Sequence, residues 1–293
     1  MDLFETLLYT MSQWEMTEPT AFGFYHIMWL VFIGIAIFGL YKIKDNYNEN
    51  QLKKVLGIYG IVVLITETLK QLTWSINYDT VEKIVTWDYQ WYSFPFQLCS
   101  TPMYVALICI FLKKCKLRDC LLSYIAYITI LGSIATIFMP DSCFTTNVIS
   151  NFHTSWLHFG SFVVSVYLLM TREVKIDVKT FKDAIPVFLI GVGMATFMNI
   201  YVHSSGILNG ETFNMFYISP YFISELPVFC DIQQNVPFII FLLTYVFALT
   251  FGGFIIFCIS SLITHKKILI EDKSTKLQNH THHHSKLHLP RFH

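Results

Sequence analysis

Hydrophobic residues come along this chain in runs of roughly twenty, broken by short stretches in which charge or aromatic rings concentrate. The runs fall at 22–43, 53–76, 95–112, 119–139, 153–171, 183–202 and 237–264. A helical run of that length crosses the ~30 Å hydrocarbon core of a bilayer. The pattern predicts an all-α polytopic membrane protein with seven transmembrane helices. Residues 1–264 form the bundle. Residues 265–293 form a disordered cytoplasmic tail that reads HTHHHSKLHLPRFH from His280.

Charge sets the orientation. The connection after the first run holds Lys42, Lys44, Lys53 and Lys54. The one after the third holds Lys113, Lys114, Lys116 and Arg118, and the one after the fifth holds Arg172, Lys175, Lys179 and Lys182. With the tail, these stretches carry eighteen of the 20 basic residues. Basic residues resist translocation, so all four belong on the cytoplasmic side. The N-terminus is then outside and the C-terminus cytoplasmic. Six helices would put the basic tail on the wrong face. The first twenty residues, with Asp2, Glu5, Glu15 and Glu18 and no Lys or Arg, agree.

Composition narrows the function classes. Apolar residues make up 54% of the chain and charged ones 14%, which a soluble fold of this length does not support. The net charge is zero, so no global field draws nucleic acid. The seven cysteines form no CxxC pair, so neither a metal site nor a cofactor is expected. Cys143 and Cys230 both fall in outer connections, where a disulfide and two thiols are equally open. The outer connections 77–94 and 203–236 are rich in aromatic rings, which suits interfacial anchoring and also a lid over an outward cavity.

Ionisable and polar groups at membrane depth are costly, so each is a functional candidate. His26 lies near the outer end of the first run. Glu67 and Lys70 lie three residues apart in the outer half of the second and can pair. Cys99 opens the third, His158 lies early in the fifth, and Asn199 lies near the outer end of the sixth. At ~1.5 Å per residue most of these fall within ~10 Å of one boundary. The cytoplasmic halves carry nothing comparable. In Ser93-Phe94-Pro95-Phe96-Gln97-Leu98-Cys99, Ser93 reads as an N-cap and Pro95 as a first-turn residue. Cys99 would then sit near a helix N-terminus, where the dipole favours thiolate. A Cys–His pair of Cys99 with His158 supports nucleophilic acyl transfer, and the carbonyls at that depth are phospholipid esters.

The segment FPFQLCS resembles the LPLxLC segment of YwaF-like bacterial membrane proteins, related to eukaryotic transmembrane protein 164. FGFYH at 22–26, TETL at 66–69, HTSWLHFG at 153–160 and MNIY at 198–201 match in order. The resemblance implies a seven-helix protein and a phospholipid acyltransferase, with Cys99 at the nucleophile position and His158 at the histidine. His153 competes for the second role. Gln97 stands where bacterial relatives often carry histidine, and Asn199-Ile200 where Asn-Tyr is common. These departures bear on the supporting roles of Gln97, Asn199, Lys70, Glu67 and His26. The alternative is a small-molecule transporter or receptor, in which Glu67, Lys70 and Asn199 would line an outward cavity.

Overall fold

A computed structural model describes residues 1–140 and 143–285, of 266–285 the backbone alone. Its order is α1 (Leu3–Ser12), α2 (Phe24–Ile43), α3 (Glu49–Ser75), β1 (Ile76–Asp79), β2 (Ile84–Trp87), α4 (Thr101–Phe111), α5 (Lys116–Tyr124), a π turn (Ile125–Thr129), α6 (Ile130–Phe138), α7 (Val148–Met170), α8 (Val178–Ser204), α9 (Phe229–Asn235) and α10 (Phe238–Ser285). The chain is mostly helical, and each expected run overlaps helix, the third only from Thr101. Among the described residues five helices are long and apolar enough to cross a membrane: Phe24–Asn46, Glu49–Ser75, Lys116–Phe138, Val178–Ser204 and Phe238–His265. Helix α7 has 23 residues, and Asn151, His153, Ser155 and His158 lower its hydropathy. Helix α4 has 11, so it spans only ~16 Å. Of the tail from residue 265, the backbone as far as Ser285 continues α10, and 286–293 lie outside the described residues.

Local chemistry explains the helix starts. Asn48, Asn147 and Asp177 each cap a helix, accepting from Gln51, Ser150 and Thr180 backbone N–H groups. Third-run capping is corrected. Ser93 spends its hydroxyl on Gln90 O at 2.8 Å, and helix α4 begins six residues after Pro95, with Ser100 as N-cap and Pro102 in its first turn. Two short elements fall outside the hydrophobic periodicity. Helix α1 carries a capping box of Asp2 and Glu5, and the β1–β2 hairpin occupies the aromatic connection.

The centre is the continuous rod Lys116–Phe138, made of α5, the π turn and α6. Ile125, Ala126, Tyr127 and Ile128 are fully buried. A π turn leaves a carbonyl short of its helical partner. Here Ser165 Oγ of α7 donates to Ile125 O at 2.9 Å, and Thr129 Oγ1 donates to it at 3.1 Å. Helix α10 crosses the rod on Gly252 and Gly253. A Cβ at Gly253 would lie 2.8 Å from Tyr127 O, so only glycine permits this approach.

The basic connections meet at one end of the bundle, and the expectation that this end carries no buried ionic group is overturned there. Arg118 is fully buried. Its guanidinium donates to both oxygens of Glu49 at 2.6 and 3.0 Å and to Glu173 at 2.7 Å. Tyr47 Oη donates to Glu173 at 2.5 Å. Burial, then the Glu173 carboxylate, raises the Tyr47 phenol pKa, which keeps it a donor. Lys116 pairs with Asp183 beside them. Arg118 was hidden in a run of loop lysines. It ties α3, α5 and the chain after α7 into one knot. Arg118→Ala should cost ~3–5 kcal/mol, because Glu173 loses its buried counter-charge. Thermal unfolding in detergent checks this, and Arg118→Lys should recover only part, lacking the fork that grips Glu49.

Candidate active site

At the opposite end the chain before α4 stays non-helical, so Cys99 stands one residue ahead of the Ser100 N-cap. Four contacts hold this stretch. Phe94 packs on Phe213 at 5.6 Å between centroids, and Phe96 stacks on Phe216 at 5.5 Å. Gln97 Nε2 donates to Asn214 O at 2.9 Å, and Tyr104 Oη donates to Pro95 O at 2.8 Å. The partner is a re-entrant segment of the 203–236 connection. Phe213, Met215, Phe216 and Ile218 are fully buried. Phe216 holds φ 58°. Asn199 fixes it: its amide donates to Met215 O at 3.0 Å and its carbonyl accepts from Met215 N at 2.7 Å.

Cys99 and His158 converge on the same backbone, at Gly132. A Cβ at Gly132 would stand 3.9 Å from Cys99 Cβ. The His158 ring reaches the Gly132 carbonyl, and its Nδ1 lies 3.0 Å from Thr136 Oγ1. Thr136 has one hydroxyl proton, and the Gly132 carbonyl oxygen lies 3.1 Å from its Oγ1. One tautomer is consistent with the Thr136 hydroxyl donating to the Gly132 carbonyl, and the opposite one with that hydroxyl donating to Nδ1. In the first, Nδ1 carries the ring proton and donates to Thr136, and the Nε2 lone pair is the acceptor. Cys143 Sγ stands 3.8 Å from the same hydroxyl. No disulfide joins Cys143 to Cys230.

Protein surrounds both Cys99 and His158. Both nevertheless keep accessible surface, unlike their buried neighbours Ser155 and Phe159. Tyr59, Tyr124, Tyr217 and Tyr245 all stand within electrostatic reach of Cys99. Tyr124 Oη pairs with Thr101 Oγ1 at 2.7 Å. Sequence spacing offers no signal for these phenols or for Thr136, because they come from five separate elements.

Glu67 and Lys70 pair at 2.9 Å, and the structure adds His153 to them. His153 Nε2 lies 2.8 Å from Glu67 Oε2, and Nδ1 lies 3.2 Å from Thr66 Oγ1. Gln71 Nε2 donates to Glu67 Oε1 at 2.7 Å and to Ser93 O at 2.7 Å. His153 is thus held by a carboxylate, while Lys70 lies within electrostatic reach of Cys99. His26 is not brought to these groups. It accepts from Phe22 N at 3.0 Å and lies among Phe22, Phe144 and Phe159. Among the described residues no group of three His, Cys, Asp or Glu could hold a metal ion.

Asn199→Ala should leave the Met215 N–H and C=O unpaired in a dry interior, at ~1–3 kcal/mol for each group. Amide hydrogen exchange across 213–219 should accelerate while the Arg118 end stays protected.

No curated protein and no solved structure matches this chain. The sequence profile of the TMEM164 family matches residues 21–270, a stretch that runs from the start of α2 into α10 and contains Cys99, His158, Thr136 and the Glu67 network. With that match over most of its length and its several membrane-length apolar helices, the chain belongs to the TMEM164 family of integral membrane proteins.

Proposed function

We propose that this protein is an intramembrane acyltransferase acting on phospholipid esters, with Cys99 as nucleophile and His158 as general base. The observation that carries this reading is the approach of Cys99 and His158 to one residue, Gly132, with Thr136 Oγ1 hydrogen-bonded to the imidazole. His158 Nε2 takes the Cys99 thiol proton, and the sulfur attacks the ester carbonyl. The tetrahedral adduct collapses, the C–O bond breaks, and the imidazolium returns its proton to the departing lysophospholipid oxygen. A second hydroxyl then attacks the thioester. Its proton goes to Nε2, the acyl group leaves on the new oxygen, and Cys99 is reprotonated. With water as acceptor the same steps give hydrolysis.

Location supplies the substrate class. Cys99 and His158 lie within an apolar helical bundle, and the abundant carbonyls of a bilayer are glycerolipid esters. The α4 N-terminus directs its positive end toward the sulfur, which favours the thiolate as it forms. The transport alternative needs Glu67 and Lys70 free to exchange partners. Instead both Glu67 oxygens are taken up by Lys70, Gln71 and His153, which favours the enzyme reading.

A thiol-reactive phospholipid analogue tests the pair. Cys99→Ala should abolish labelling, and His158→Ala should slow it by roughly 10²-fold or more, the usual weight of a positioned base. Labelling of Cys99 at the wild-type rate in His158→Ala would sink the reading. Thr136 should act through His158. Thr136→Val should slow labelling about tenfold and move the pH of half-maximal rate, and Thr136→Ser should restore both. A Val variant with an unchanged pH profile would reduce Thr136 to a packing residue.

A further inference from the structure

We propose that the Tyr217 and Tyr245 hydroxyls are the donor pair that receives the substrate's carbonyl oxygen as Cys99 attacks, a role that rests on the acyl-transfer reading of Cys99 and His158. Attack on an ester forms the S–C bond and moves the second electron pair of the carbonyl onto its oxygen. Within an apolar bundle that oxyanion needs donors already aimed at it, and such donors carry much of the catalysis of acyl transfer. Their protons stay on the phenol oxygens. When the adduct collapses, the electron pair returns to the carbonyl, the C–O bond breaks, and His158 returns its proton to the leaving oxygen. Lys70 is also within electrostatic reach of Cys99, but Glu67 balances its charge at 2.9 Å.

Hydrogen bonding separates the four phenols within electrostatic reach of Cys99. Tyr59 donates to Leu157 O at 3.3 Å, and Tyr124 pairs with Thr101 Oγ1 at 2.7 Å. Among the described residues the Tyr217 and Tyr245 hydroxyls close no hydrogen bond. Neither oxygen belongs to the buried polar atoms left without a partner, so each keeps surface that a ligand atom can reach. Yet Tyr245 is only 1% exposed. An unpaired hydroxyl in such a place is costly and calls for an acceptor.

Both rings are fixed by packing. Tyr245 lies against Phe229, Phe188 and Phe241, at 5.4, 6.4 and 6.5 Å between centroids. It stands seven residues, or ~10 Å, along α10 from Gly252, where an added Cβ would meet Leu131 at 2.9 Å. Leu131 adjoins Gly132, the residue that Cys99 and His158 approach. Tyr217 follows Phe216, whose ring stacks on Phe96, three residues before Cys99. Phe216 and Tyr217 hold φ 58° and 57°. Bulky residues rarely adopt that backbone, and strain of this kind gathers at functional sites. The two phenols lie within electrostatic reach of each other as well as of Cys99.

The test offers two short-chain probes to the full chain in mild detergent, with adducts counted on the Cys99 peptide by mass spectrometry. A p-nitrophenyl ester acylates the sulfur through an oxyanion. An iodoacetamide alkylates the same sulfur with loss of iodide and forms none. Tyr217→Phe and Tyr245→Phe keep the ring and remove the donor. Each should slow acylation by roughly 10²-fold or more, the usual weight of one such donor. Alkylation should continue at the wild-type rate in both. His158→Ala should slow both reactions, because each needs the thiolate. Acylation at the wild-type rate in either Phe variant overturns the pair and leaves the His158 base standing. Equal slowing of acylation and alkylation overturns it too, reducing the phenols to packing residues. A wild type that alkylates but forms no thioester sinks the pair together with the acyl-transfer reading.

Discussion

Inside an apolar bundle every polar group must find its partner within the protein, and the rod Lys116–Phe138 is where that constraint bears hardest. Two of its carbonyls organise the molecule. The Ile125 carbonyl, loosened by the π turn, draws Ser165 from α7. The Gly132 carbonyl lies 3.1 Å from Thr136 Oγ1, which is hydrogen-bonded in turn to the His158 ring. Helix α7 is therefore registered against the rod at two levels, and His158 is oriented by the second. Glycines on α10 close the opposite side.

The same constraint explains why two irregular segments can lie at depth. The chain from Phe94 to Ser100 and the re-entrant stretch from Phe213 to Ser219 satisfy one another. Gln97 meets Asn214 O, and Phe96 stacks on Phe216. Phe216 and Tyr217 both take positive φ. Such conformations cost on the order of 1–3 kcal/mol each, and persist only where the surroundings impose them. Asn199, bonded twice to Met215, is the imposing group. Its part at the site is indirect: it sets the course of the chain that brings Tyr217 toward Cys99.

Ionic groups divide between the two ends. Arg118 with Glu49 and Glu173 locks the basic end, where it binds loops to helices. Glu67 with Lys70 and His153 occupies the other end, beside the candidate site. The Glu67 carboxylate is saturated, so the network positions α3 against α7 rather than presenting a free charge. The four phenols within electrostatic reach of Cys99 add polarity without net charge.

The helical class and the positions of the apolar runs were legible because a bilayer imposes a length and a periodicity that single residues report. Asn48, Asn147 and Asp177 likewise announce helix starts through local chemistry. Cys99 and His158 could be nominated from the sequence, since polar residues in apolar runs stand out. Their shared neighbour Gly132 could not, nor could Thr136, because a threonine in a helix usually satisfies itself on its own backbone. The late start of α4 was hidden as well. Ser93 and Pro95 carry sound capping signals, but aromatic contacts from more than a hundred residues away hold Phe94 and Phe96 out of a helix. Arg118 looked like one more loop charge until Glu49 and Glu173 were brought to it. The sequence by itself determined which segments are helical and apolar, because those properties are local. Only the tertiary structure decided which polar groups meet, because their partners lie on other helices and are chosen by packing.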